Sequence, residues 1–325
     1  MNYITIWRLQ TNTDNKTDKS VSDYCIDNNV LALGWSLNDE HLYGTSDIEK
    51  LIIERKLISQ GNEDENFEKY VNFVNNHNIY KKIHNIKRLK EQVKPFDLVW
   101  MRHEGIYWLG IVGENSRYYF NSDEEVLRMD ASNQKTDIKW FEIGGEADVP
   151  GVLTTSFIQG QTLQRVNQTG VLEFSQNLIN KLNKPIYDIR NLERNAETFF
   201  NLISPADCED LVCMWLYKEY GYINVPSTCK ITTELYECVL LNPNKIKNKE
   251  VYIQVKKGDV DLNYSDYRNL DGEVWLFTTG GKFIGEKQSN MKTIDPNTIF
   301  DFVMCHKNDN FLPEKILKWR SLLDN

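Results

Sequence analysis

Nowhere in this 325-residue chain is there a run of about 18 apolar residues, the length a membrane-spanning helix requires. The opening Met1-Asn2-Tyr3-Ile4-Thr5-Ile6-Trp7-Arg8 lacks a basic segment followed by a long apolar core, so no secretory signal is expected and the protein is placed in the cytoplasm. Cys-x-x-Cys pairs are missing as well. The six cysteines are Cys25, Cys208, Cys213, Cys229, Cys238 and Cys305, and the closest two are five apart among apolar neighbours. They read as reduced core residues rather than zinc ligands. Positive charge is in deficit, with 38 Lys and Arg against 47 Asp and Glu and a net charge of −9. That excludes a constitutive, sequence-blind coat on nucleic acid, which depends on excess cationic side chains. It leaves a nuclease open, because active-site carboxylates bind a divalent cation before they tolerate a phosphate.

What is present is the composition of a folded protein, 41% hydrophobic and 12% aromatic. At this length two domains are expected. Residues 1–165 alternate in strand-like fashion around a charged helical interval, Ile48 to Gln92, in which Phe67, Tyr70, Val71 and Val74 recur at helical spacing. Phe96–Arg102 and Ile106–Val112 flank Glu104-Gly105 and predict a hairpin. This half reads as α+β with a small β-barrel. Residues 166–203 read as a helical linker of fixed geometry, with no glycine or serine tract. Residues 204–325 interleave strands with helices and predict an α/β sandwich around a central mixed sheet.

The chemistry concentrates in Val251-Tyr252-Ile253-Gln254-Val255-Lys256. A period of two places Tyr252, Gln254 and Lys256 on one face of a strand and the aliphatic residues on the other. Metal-dependent phosphodiester cleavage needs carboxylate or amide oxygens for a hard cation and a nearby ammonium group to orient water. Glu237, on a strand expected at Glu237–Leu241, supplies the acid, with Glu234 as its alternative. Ser204-Pro205-Ala206-Asp207 predicts a capped helix over Pro205–Tyr220, with Cys208, Leu211, Val212, Trp215 and Leu216 inward and Glu209 and Asp210 in its first turn.

Glu209-Asp210-Leu211-Val212, Gly221-Tyr222, Glu237, Gln254-Val255-Lys256 and Val274-Trp275-Leu276-Phe277-Thr278-Thr279-Gly280-Gly281 occur in that order. The set resembles the Mrr-like branch of the restriction-endonuclease (PD-(D/E)xK) superfamily over about 120 residues. It departs from that branch in one place: the family sets an Asp in a Gly-x-Asp context where this chain has Glu237 after Tyr236. The resemblance implies an endodeoxyribonuclease with Mg²⁺ or Mn²⁺ held by Glu237 and Gln254. In that scheme Lys256 orients water and Glu209 completes the acidic set.

In the first half, Ala32-Leu33-Gly34-Trp35, Asp97-Leu98-Val99-Trp100-Met101-Arg102, Tyr107-Trp108-Leu109-Gly110 and Val149-Pro150-Gly151 resemble the PUA/EVE-like superfamily. That likeness implies a barrel mouth that holds a modified base. Trp35, Trp100 and Trp108 would form the cage, and Asp97 and Arg102 the polar contacts. Lys81, Lys82, Lys87, Arg88 and Lys90 form a basic run on an expected helix that could ride on DNA phosphates. Together these expectations describe a modification-dependent DNA endonuclease of antiphage defence, working as a homodimer on duplex DNA. The alternatives are a nuclease fold that senses nucleic acid without cleaving it, and an RNA-binding protein.

Overall fold

The computed structural model describes residues 3–11, 20–34, 45–77, 83–158, 161–188, 191–225 and 235–324. In chain order they form β1 (Ile6–Leu9), α1 (Val21–Asn28), β2 (Leu31–Leu33), α2 (Thr45–Lys56), α3 (Glu63–Asn76), α4 (Ile83–Lys87), β3 (Leu98–His103), β4 (Ile106–Val112), β5 (Tyr118–Phe120), α5 (Glu124–Arg128), β6 (Asn133–Lys135), β7 (Ile138–Gly144), α6 (Gly151–Ser156) and β8 (Leu163–Val166). There follow α7 (Val171–Leu182), α8 (Ala196–Leu202), α9 (Pro205–Tyr220), β9 (Ile223–Asn224), β10 (Cys238–Leu241), β11 (Glu250–Lys256), β12 (Leu262–Asn263), β13 (Glu273–Thr278), β14 (Phe283–Ile284), β15 (Met291–Ile294), α10 (Pro296–Met304) and α11 (Glu314–Ser321). Contacts group the chain into two compact units: Met1–Val149 with Leu153–Asn167 and Phe174–Asp188, and Pro150–Val152 with Gln168–Glu173 and Ile189–Asn325. The expected linker, 166–203, holds α7 and α8, and its residues are divided between the units. No helix among the described residues is long and apolar enough to cross a membrane.

The first unit is α+β, with a five-stranded mixed sheet in the order β7-β4-β3-β1-β8 and a three-stranded sheet β2-β6-β5. The expected closed barrel is not found among the described residues; β7 and β8 are the two ends of an open sheet. The reason lies in β1 and β3, which pair in parallel with Ile6 opposite Leu98. Parallel neighbours require a crossover, and the chain between them is occupied by α1 to α4 and β2 rather than by hairpin-linked strands. The β3–β4 hairpin forms as its sequence predicts. Glu104 and Gly105 have φ of 48° and 83°, the paired left-handed geometry of a two-residue type I′ turn, which matches the twist of the flanking strands. On α3 the residues turned inward are Phe67, Tyr70, Phe73 and Val74, which join Trp7 and Met101 in one apolar core.

In the second unit the sheet runs β15-β13-β11-β10-β9. β9, β10 and β11 are antiparallel neighbours, whereas β11, β13 and β15 are parallel, so the sheet is mixed, as expected. Ile253 and Val255 lie in register with Trp275 and Phe277, and this side meets the helices: Trp215 of α9 stands edge-on to Trp275 at 5.8 Å and Phe200 of α8 lies 5.5 Å from Phe277. On the other side Tyr252, Val274, Leu276 and Met291 pack with Leu262, Tyr264 and Tyr267. β11 is therefore covered on both faces. The alternation that predicted one greasy and one chemical face is corrected: the polar side of the strand also lies under an apolar layer, and Gln254 is only 1% exposed.

At the opposite end of these strands from Lys256, the buried Glu273 accepts hydrogen bonds from Lys245 Nζ (2.7 Å), Tyr222 Oη (2.9 Å), Lys292 Nζ (3.3 Å) and Trp275 Nε1 (3.3 Å). Burial alone would raise its pKa. The hydrogen bonds from Lys245 and Tyr222, with the charge of Lys292, outweigh that and hold the carboxyl down at about 2. A carboxylate depressed in the folded state stabilises above its unfolded pKa, and that contribution is lost as pH falls through the folded value. Urea titrations from pH 6 down to pH 2 are expected to show wild type losing on the order of 2 kcal/mol more than Glu273→Gln, the partly exposed lysines keeping the figure modest. Parallel curves for the two proteins would contradict this.

Candidate active site at the end of the central strand

Helix α9 follows from its cap. Ser204 Oγ accepts from Asp207 N (3.1 Å) while the Asp207 carboxylate accepts from Ser204 N (2.9 Å), and Pro205 occupies the first helical position. This closes two of the free N–H groups at the helix start. The helix spans Pro205–Tyr220 and buries Cys208, Leu211, Val212 and Leu216, with Trp215 half-buried. Asp207 is the first-turn acid; Glu209 and Asp210 fall in the second turn rather than the first, a correction set by where the cap begins.

Register brings the other groups together. Cys238 pairs with Ile253, and Glu237 N donates to Ile253 O (2.8 Å), which sets Glu237 beside Gln254. Lys256 Nζ donates to Glu237 Oε1 at 2.9 Å, and Gln254 Nε2 donates to the same oxygen at 3.4 Å. The other amide atom, Gln254 Oε1, is buried and has no hydrogen-bond partner. Turning the amide over would set two oxygens against each other, so the carboxylate fixes Oε1 pointing away from itself. Burial pushes the Glu209 carboxyl up, the charges of Glu237 and Asp210 push it further, and Lys256 opposes them. Glu237, Gln254 and Lys256 are thus joined by hydrogen bonds, and Glu209 is close enough to feel the charges of Glu237 and Lys256. The Glu209 and Glu237 carboxylates and the Gln254 amide are oxygen donors of the kind a hard divalent cation takes. Among the described residues no group of three or more His, Cys, Asp and Glu side chains has the arrangement of a metal site; the set here is two acids and an amide.

The loop leaving Lys256 is held by the Thr-Thr-Gly-Gly end of β13. Gly258 N donates to Thr279 Oγ1 (2.7 Å), Thr278 Oγ1 donates to Val260 O (2.9 Å) and Gly281 N donates to Thr278 Oγ1 (3.1 Å). A Cβ on Gly281 would lie 1.9 Å from Val260 O, so only glycine permits this approach. Tyr267 was not anticipated. It is buried, and its hydroxyl is pushed up to about 12 by burial and by the charges of Asp266 and Glu237. Its sequence context, Ser265-Asp266-Tyr267, carries no signal that would single it out.

The expected base cage fares differently. Trp35 and the alternative acid Glu234 lie outside the described residues. Trp100 is fully buried and donates through Nε1 to Ser175 Oγ (3.0 Å). Asp97 is 1% exposed and accepts from Thr5 N (2.8 Å), Trp7 Nε1 (2.8 Å) and Lys94 N (3.0 Å). Both are corrected from cage to core: their polar atoms are consumed by chain segments distant in sequence. Trp108 is half-buried against the core, and Arg102 is exposed and lines a shallow polar cleft with Gln10, Glu104, Gly105 and Phe157.

In the basic run, Lys81 and Lys82 lie outside the described residues. Lys90 is bound to Asp64 (2.5 Å) and lies over the Phe67 ring, and Arg88 donates to Leu163 O (3.0 Å) and Gln161 Oε1. These two cations serve the first unit's own fold, and Lys87 is exposed. No protein-family model, curated protein or solved structure matches the chain.

Proposed function

We propose that this protein is a modification-dependent DNA endonuclease that cleaves phosphodiester bonds with Mg²⁺ or Mn²⁺. The observation that carries this reading is the meeting of Gln254 and Lys256 on one oxygen of the Glu237 carboxylate, with the buried Gln254 Oε1 left without a donor. Glu237 and Gln254 would hold the cation and Glu209 would complete the oxygen set. When bound, the cation supplies charge neutralisation at the phosphate and a lower pKa for the attacking water. An ammonium group has three donors, and Lys256 spends one on Glu237, leaving others to orient that water. Cleavage of both strands calls for two centres on one duplex, hence a homodimer. The first unit would read the altered base, with Trp35, Trp108 and Arg102 as candidate contacts, and the setting would be antiphage defence.

The test is a nicking assay on phage DNA carrying modified bases and on an enzymatically copied, unmodified version, with Mg²⁺, Mn²⁺ or chelator. Metal-dependent nicking favouring modified DNA is expected. Binding without nicking under every metal would leave a nucleic-acid sensor, and tighter binding to structured RNA than to either DNA would redirect the reading to RNA.

Glu209 adds a second check. A carboxyl whose folded pKa is raised favours folding at low pH and loses that advantage as pH rises through the folded value. At pH 7 without metal, Glu209→Gln is therefore expected to raise Tm by about 1–2 °C. It should also reduce the stabilisation that added Mg²⁺ gives wild type. A variant that melts below wild type in chelator, or gains as much from Mg²⁺, would contradict this.

A further inference from the structure

We infer that Cys213 and Cys238 form an oxidation site, at which a hydroperoxide converts the two thiols into a disulfide that pins α9 to β10. Their sulfur atoms are 3.2 Å apart, although 25 positions separate them in sequence. Cys213 lies four residues after Glu209, on the same face of α9, and Cys238 follows Glu237 directly. The pair therefore joins the two elements that carry the acids of the candidate site. Cys213 is partly exposed and Cys238 is buried, so oxidant meets Cys213 first.

The chemistry balances without a further reagent. The Cys213 thiolate attacks the terminal peroxide oxygen, forming a sulfenic acid and releasing the alcohol. The Cys238 sulfur then attacks the sulfenic sulfur, and water leaves with the remaining oxygen. One hydroperoxide is reduced and two thiols are oxidised. The other described cysteines lack such a neighbour: burial pushes the thiols of Cys25 and Cys208 up to about 12, and Cys305 stands alone at the surface.

A disulfide brings its sulfurs to about 2.05 Å, so bond formation draws α9 and β10 together locally by about 1 Å. A displacement of that size at a reacting centre costs on the order of 10²-fold in rate. This consequence rests on the nuclease reading above, whereas the disulfide itself does not.

The experiment uses the full chain with Cys305→Ser, reduced, then exposed to tert-butyl hydroperoxide, alkylated under denaturing conditions and mapped by mass spectrometry without reduction. The expected result is a Cys213–Cys238 linked peptide that dithiothreitol separates, absent from both Cys213→Ser and Cys213→Ala. Nicking should slow by at least about 10-fold on oxidation, recover with dithiothreitol, and be insensitive to oxidant in the Cys213 variants. Alkylation of both cysteines after oxidant, or linkage to other cysteines, overturns the site. A mapped disulfide with unchanged nicking overturns its effect on catalysis. Absence of nicking from the reduced protein overturns the nuclease reading and leaves the mapped bond standing.

Discussion

Lys256→Ala is expected to lower metal-dependent nicking by at least about 10²-fold while leaving the protein folded. Lys256 is a poor stabiliser where it stands: its side chain is 36% exposed and that of Glu237 28%, and ion pairs with such access to solvent contribute roughly 0–1 kcal/mol. Its value lies in position. The ammonium group is fixed by Glu237, whose Oε1 also accepts from Gln254, and its charge reaches Glu209, so removing it takes away the donor that would orient water and leaves the acids without their counter-charge. Lys256→Arg keeps the charge but replaces a compact point donor by a planar fork, and should restore little of the rate. Nicking by Lys256→Ala within a few-fold of wild type would sink the assignment. A Tm more than a few degrees below wild type would shift the residue's role from chemistry to structure.

Asp97→Ala is expected to destabilise the protein by about 3–5 kcal/mol, measured by urea unfolding. The buried carboxylate, just before β3, gathers three donors from residues 5, 7 and 94. Burial raises its pKa, and the bonds from Trp7, Lys94 and Thr5 pull the other way. Removing it leaves three N–H groups without their acceptor, the Trp7 indole among them fully buried. The residue before it, Phe96, has φ of 70°, a left-handed backbone held by Phe96 N donating to Val112 O and by Tyr187 Oη donating to Phe96 O, each at 2.7 Å. Asp97→Asn does not rescue, because its amide must face one of the donors with a donor of its own. A loss of less than about 1 kcal/mol for Asp97→Ala would show that these bonds are replaced by water.

Elements whose signals are local were legible in the sequence. Ser204, Pro205 and Asp207 announced the start of α9 because capping involves residues three apart. Glu104-Gly105 announced a hairpin because two residues must take positive φ. The candidate site was legible to the extent that β10 and β11 are hairpin neighbours, so pairing two adjacent strands sufficed to set Glu237 beside Gln254 and Lys256.

What escaped depends on contacts between distant segments. The parallel partnership of β1 with β3 leaves no local trace, and its absence from the reading turned an open sheet into an expected barrel. β15, Met291-Lys292-Thr293-Ile294, is too short to stand out as a strand. Asp97 was read as a ligand contact because its donors at Thr5 and Trp7 lie about 90 positions away. The Cys213–Cys238 contact was hidden in the same manner, since only the docking of α9 on the sheet reveals it.

The neutrality of Gln254 has a consequence for the order in which a complex could assemble. Glu209, Glu237 and Lys256 together give one net negative charge when all are ionised, which repels a phosphodiester. A single divalent cation inverts that sign and attracts the phosphate with unit strength; a third acid in place of Gln254 would have left the loaded site electrically neutral. Substrate capture at this centre should therefore follow metal loading, and affinity for a scissile phosphate should rise with the concentration of a non-catalytic cation such as Ca²⁺.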